Sequence, residues 1–195
     1  MGRVFWVLAL LFAVTSCGPP GSRPPRDLDN ACAILRHHPA YVKAFRTTER
    51  RWGVPVYVQM ATIYQESKFI ADARPPRRYV LGVIPRGRQS SAYGYAQALD
   101  GTWNEYRRKT GRRTARRDRI RDAADFMGWY MNNTRDRNGI PLTDARRQYL
   151  AYHEGQSGYA RGSYTSKPWL LRVASDVGER SMMYQSQLGR CGATL

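Results

Sequence analysis

A single carboxylate at the end of an apolar helix is the group in this chain with the right setting for proton transfer. Pro55 to Phe69 reads PVYVQMATIYQESKF and delivers Glu66, followed by Ser67. Pro55 suits a first helical turn, where its missing N–H is not needed. Val56, Gln59, Met60, Ile63 and Ser67 recur on one face at three- and four-residue spacing, and Glu66 falls at the margin of that face. Carried there, a carboxyl loses water, and desolvation raises its pKa toward that of a general acid working near neutral pH. The competing reading is a solvated helix-end glutamate, so the rest of the chain has to decide.

Two further segments carry suitable groups. Tyr93-Gly94-Tyr95-Ala96-Gln97 combines a glycine that permits close backbone approach, an amide, and two rings able to stack on a ligand. Ala151-Tyr152-His153-Glu154-Gly155 ends a later helix with a phenol and a second carboxyl. Each has a plain alternative: turn chemistry for Gly94 and Gln97, core packing for Tyr152, a solvent-facing helix end for Glu154 and a helix-end hydroxyl for Ser67. His37, His38 and His153 have no companion ligands at useful spacing, so neither metal nor cofactor is expected.

The elements that must hold these groups are mainly helical. Asn30 or Asp29 caps a first helix from Ala31 to about Trp52, closed by Gly53 before the Pro55 helix. Residues 70–91, with three prolines and several arginines, read as an irregular excursion with a small hairpin at the apolar patch Tyr79 to Ile84. A helix through Trp103 and Tyr106 follows Asp100. Arg107 to Arg121 then holds nine Lys or Arg against one acid, Asp118, which is placed to cap the next helix. That helix carries Ile120, Ala123, Ala124, Met127, Tyr130 and Met131 as its core stripe. Asn138-Gly139 is a turn, Pro141 and Thr143 lead into a helix through Tyr152, Gly158 and Gly162 lie in a polar loop, and Pro168 opens a last helix to about Leu188.

The chain of 195 residues suits one catalytic or binding domain, and its net charge of +17 calls for an anionic partner or surroundings. Arg3 followed by the apolar run Val4 to Val14 reads as a signal peptide, too short for an ordinary membrane span. Val14 to Cys17 resembles a bacterial lipobox, which implies cleavage before Cys17 and its lipidation; an ordinary secretory site with a free thiol is the alternative. The expected division is 1–16 signal peptide, 17–28 anchor and Pro/Gly-rich linker, and 29–195 domain. With Cys17 used as the anchor, Cys32 and Cys191 remain to pair in an oxidising compartment, or to stand as two free thiols. In that compartment the charge points to phospholipid, lipopolysaccharide or acidic wall peptides, not to nucleic acid.

Glu66-Ser67, Gly94 to Gln97 and Ala151 to Gly155, in that order, resemble the lysozyme-like lytic transglycosylases over roughly Trp52 to Gly155. That family shows Glu-Ser, then a Gly-Leu-Met-Gln-like element, then Ala-Tyr-Asn-x-Gly. The resemblance implies a goose-lysozyme/transglycosylase type of helical domain that cleaves the β-1,4 bond between N-acetylmuramic acid and N-acetylglucosamine in peptidoglycan. Glu66 would be the acid and then the base as the muramyl C6 hydroxyl closes on C1, leaving a 1,6-anhydro sugar. Ser67, Tyr93, Gly94, Gln97, Tyr152 and Glu154 would contact substrate. The expected location is the periplasmic face of a bacterial envelope, lipid-anchored at Cys17; Gly18 in place of an aspartate after that cysteine resembles the sorting pattern of the outer membrane. Tyr95-Ala96 replaces Leu-Met and His153-Glu154 replaces the Asn and its neighbour. Glu154 therefore keeps open a hydrolytic lysozyme with a second carboxylate near Glu66, and a non-catalytic peptidoglycan-binding lipoprotein is the further alternative.

Overall fold

A computed structural model describes residues 24–191, Gly82 excepted; the expected signal peptide and Cys17 anchor lie outside these residues. The architecture is helical with one small hairpin. Helices α1 (Ala31–His37), α2 (Pro39–Trp52) and α3 (Val56–Ser67) precede strands β1 (Arg77–Val80) and β2 (Ile84–Arg88). Then come α4 (Asp100–Thr110), α5 (Ile120–Asn138), α6 (Ala145–Glu154), α7 (Gln156–Ala160) and α8 (Pro168–Cys191). The strands pair antiparallel, Val80 opposite Ile84, within the segment read as an irregular excursion.

Several local expectations need correction. The first helix is two, because Pro39 lacks an N–H to continue α1 and instead occupies the first turn of α2. Asp118 does not cap α5; Arg119 stands at that position without a side-chain cap, and Asp118 pairs with Arg116 at 2.7 Å. The polar loop holding Gly158 contains the short helix α7.

The larger difference concerns α3. Its sequence reads as one apolar face, yet Val56, Val58, Gln59, Met60, Ala61, Thr62, Ile63 and Ser67 are all buried, which is nearly the full circumference. Helix α3 is thus a central element, with α8 and α6 against it, while α5 packs along α2. Polar groups inside such a helix need partners. Thr62 Oγ1 donates to Val58 O, and Gln59 Nε2 donates to Val54 O and Phe45 O.

A disulfide between Cys32 and Cys191 joins α1 to the end of α8 across 159 residues. By chain entropy a loop of that length stabilises by at most about 5 kcal/mol. It closes the domain on itself, and Gln187 reinforces the seam by accepting from Ala31 N at 2.7 Å and donating to Asp29 O at 2.8 Å.

Candidate active site

Glu66 sits in the last turn of the central helix, and the chain reverses directly after it. Lys68 and Phe69 both take left-handed backbone conformations, φ 51° and 62°, each costing on the order of 1 kcal/mol for a residue with a side chain. Packing holds them there: Phe69 is fully buried and stacks on Tyr41 at 5.7 Å, and the Lys68 ammonium lies 3.5 Å over the Tyr64 ring. The turn fixes the end of α3, and with it the carboxyl.

Glu66 as a residue is half-buried. Even so, the protein around it displaces enough water to push its pKa up to about 7, against smaller opposing effects of a hydrogen bond from Tyr149 and the charge of Lys68. Tyr149 comes from α6 and is the neighbour sequence reasoning missed. It lies one helical turn before Tyr152, so the spacing placing both phenols on one face was available in the sequence. Burial, with the nearby Glu66 charge, raises the pKa of both hydroxyls, so they act as donors at every working pH.

Tyr152 reaches a different partner. Its hydroxyl donates to Ala96 O at 2.6 Å, tying α6 to the turn of residues 93–98, while the ring packs at 5.1 Å against Tyr130. The three sequence segments therefore meet: α6 touches Glu66 through Tyr149 and the turn through Tyr152.

The turn is built around Gly94. Its φ is +79°, and a Cβ there would stand 2.2 Å from Arg117 O. Gly94 N donates to Ala73 O at 2.9 Å, and Tyr95 N to Arg117 O at 3.2 Å. Gln97, itself at φ 45°, donates from Nε2 to Ala73 O and Gly94 O at 2.9 and 2.8 Å. Both amide hydrogens are thus used inward, and what Gln97 offers a ligand is an acceptor. Gly94→Ala is expected to cost about 2 kcal/mol or more, because both the conformation and the space are denied to a methyl group. Thermal unfolding checks the loss, and activity should fall with it as Gln97 shifts.

Arg117 secures this turn from outside. Its guanidinium donates to Ala98 O at 2.8 Å and Ser91 O at 3.1 Å and pairs with Asp100 at 2.7 Å. The basic run of residues 107–121 is therefore partly structural. Arg112 bridges two buried acids of α5, Asp122 and Asp125, each at 3.0 Å.

Other expected site residues are placed as follows. Ser67 is buried and donates to Ile63 O at 3.2 Å within its own helix. Tyr93 is partly exposed, under the Arg74 guanidinium at 4.1 Å, with its hydroxyl 3.4 Å from Asp118. Tyr95, read as a ring lining the groove, is instead 3 % exposed and hydrogen-bonded to the Tyr41 hydroxyl at 3.2 Å, beneath the turn. His153 is exposed and stacks edge-on against Trp169.

Glu154 belongs to another network. Lys167 binds both its oxygens, at 2.7 and 2.9 Å, and Ser163 donates to it as well. These bonds, Lys167 first, pull its pKa down to about 2. The charge acting on Glu66 is that of Lys68, while the Glu154 carboxylate is engaged by Lys167 and Ser163 in the loop after α7. Among the described residues no group of three or more His, Cys, Asp or Glu is arranged to hold a metal ion.

The mainly helical architecture with one small hairpin is that of a lysozyme-like domain. Residues 5–191 match the family model of the transglycosylase SLT domain, and the chain belongs to that family. Its members are peptidoglycan lytic transglycosylases, so peptidoglycan is the substrate class. No curated protein matches the chain.

Proposed function

We propose that the protein cleaves peptidoglycan glycan strands without water, with Glu66 as acid and then base. The observation that carries this reading is the setting of Glu66: a carboxyl pushed up to about 7 by loss of water, bonded by the Tyr149 phenol and near the Lys68 charge. At neutral pH roughly half of such groups hold a proton to give. Glu66 protonates the bridging oxygen between N-acetylmuramic acid and N-acetylglucosamine. As the C1–O bond breaks, positive charge grows on the muramyl ring. The carboxylate then takes the proton of the C6 hydroxyl while that oxygen bonds to C1, so the 1,6-anhydro product forms and the acid is restored.

One carboxyl serves both steps because the nucleophile belongs to the substrate. Tyr149 keeps the spent carboxylate in place, and the Gln97 acceptor suits a sugar amide or hydroxyl. Tyr93 and the backbone about Gly94 complete the proposed substrate contacts. Engagement of Glu154 by Lys167 supports this reading over hydrolysis, which uses a second base to activate water. We further propose export and lipidation of Cys17, on the strength of the lipobox-like Val14 to Cys17, and attachment to the bacterial outer membrane, because Gly18 and not an aspartate follows that cysteine.

Digestion of purified sacculi followed by mass spectrometry tests the chemistry. Muropeptides ending in anhydro sugars, lighter by one water, are expected; reducing ends alone would establish hydrolysis instead.

A further inference from the structure

The β1–β2 hairpin is sparsely covered. Tyr79, Val80, Leu81, Val83 and Ile84 cluster at its tip and are 56, 38, 86, 76 and 55 % exposed, and every residue of β2 is exposed. A two-stranded hairpin is marginal without a face to pack, and a contiguous exposed apolar cluster marks an interaction site.

The stem carries the opposite chemistry. Arg77, Arg86 and Arg88 are exposed behind the tip, and Arg77 stands directly across from Arg88. Like charges in that position repel, and an anion between them removes the repulsion. Arg88 is also held by its bond to Pro75 O, 2.7 Å, which keeps its guanidinium at the stem.

We propose that this hairpin docks the domain onto an anionic phospholipid bilayer, the apolar tip entering the interface and the arginines taking lipid phosphates. Glycan strands and acidic wall peptides would satisfy the arginines but offer nothing to five aliphatic and aromatic side chains. A bilayer supplies both, in the right order. At about 3.3 Å per residue, Arg86 stands roughly 7 Å behind Ile84, comparable with the roughly 5–10 Å that interfacial elements sink below the headgroups. The net charge of +17 draws the whole chain toward the same surface. The hairpin lies outside the proposed catalytic groups, so docking and cleavage can be separated.

The test uses the full chain with Leu81→Trp and vesicles of phosphatidylethanolamine and phosphatidylglycerol, with and without acyl-chain bromination. The introduced tryptophan should shift to the blue and be quenched by brominated lipid. Adding Arg77→Gln, Arg86→Gln and Arg88→Gln should raise the lipid concentration at half-shift by about fivefold per arginine. Thermal unfolding matching the parent shows that the variants fold. Because the chain has five tryptophans of its own, the signal read is the difference between Leu81→Trp and the parent; vesicle binding through another part of the chain leaves that difference unshifted, and that result overturns the proposal. So does a shift produced by isolated peptidoglycan and not by vesicles, or one insensitive to the arginines and equal on phosphatidylcholine.

Discussion

Replacing Glu66 with glutamine is expected to abolish lytic activity, by on the order of a thousandfold in kcat, while making the protein more stable at alkaline pH. Both effects come from one cause. The folded carboxyl has a pKa of about 7 against an ordinary 4.5, so between those values the folded state keeps a proton that the unfolded chain has released. Stability therefore falls as pH rises from about 4.5 to 7 and stays lowered above it, by roughly 3 kcal/mol at full expression. Glutamine cannot ionise, and its carbonyl oxygen can still accept the Tyr149 hydrogen bond. Denaturant titrations should thus show variant and parent equal near about pH 4 and the variant ahead by up to roughly 3 kcal/mol near about pH 8. In the parent, kcat/KM should decline about tenfold per pH unit above neutrality, because the proton donor is lost. A Glu66→Gln protein that retains activity would move the acid elsewhere, and equal stabilities at both pH values would show that the carboxyl is well solvated.

Asp125→Ala should be the most destabilising polar substitution in the domain, at about 3–5 kcal/mol. Asp125 is 3 % exposed and accepts from the Tyr106 hydroxyl at 2.6 Å, from Trp52 Nε1 at 3.1 Å and from Arg51 at 3.1 Å, besides its ion pair with Arg112 at 3.0 Å. Removing it leaves several donors, one of them the Arg112 guanidinium, without an acceptor in a low-dielectric setting, and that loss exceeds the worth of any single bond. Urea unfolding should show a lower midpoint with an unchanged slope. Arg112 and Arg117 belong to the same segment between α4 and α5, so loosening Arg112 should also relax the Gly94 turn. Activity should fall without a change in the pH at which it declines, since Asp125 does not act on Glu66. A shifted pH profile would mean that the network reaches the acid directly.

The buried acids of α5 show where sequence reasoning stops. Period and residue type pick out Ile120, Ala123, Ala124, Met127, Tyr130 and Met131 as a core stripe, and these hydrophobic positions are buried or, for Tyr130, partly so. Nothing in a linear pattern says that Asp122 and Asp125 turn inward as well, because their burial depends on Arg112 and Arg51 arriving from elsewhere in the chain. The same reasoning applies to the basic run, which reads as a solvated or anion-binding face yet spends Arg112 on two buried acids of α5 and Arg117 on the turn around Gly94. Pro39 is a different kind of miss, since its helix-breaking chemistry was legible in the sequence.

By itself the sequence determined the family, the helical class, the small hairpin and a single carboxyl at the end of an apolar helix. Those properties follow from local chemistry: hydrophobic period, proline and glycine placement, and residue types at short spacing. Only the tertiary structure decided which phenol bonds Glu66 and which ties down the turn, that Tyr95 lies beneath that turn, and that Glu154 is held by Lys167. Each of those outcomes depends on side chains from separate helices converging in space. A pairing of that kind leaves no periodic trace along the chain, and the energy that selects it appears only when packing removes water from both partners at once.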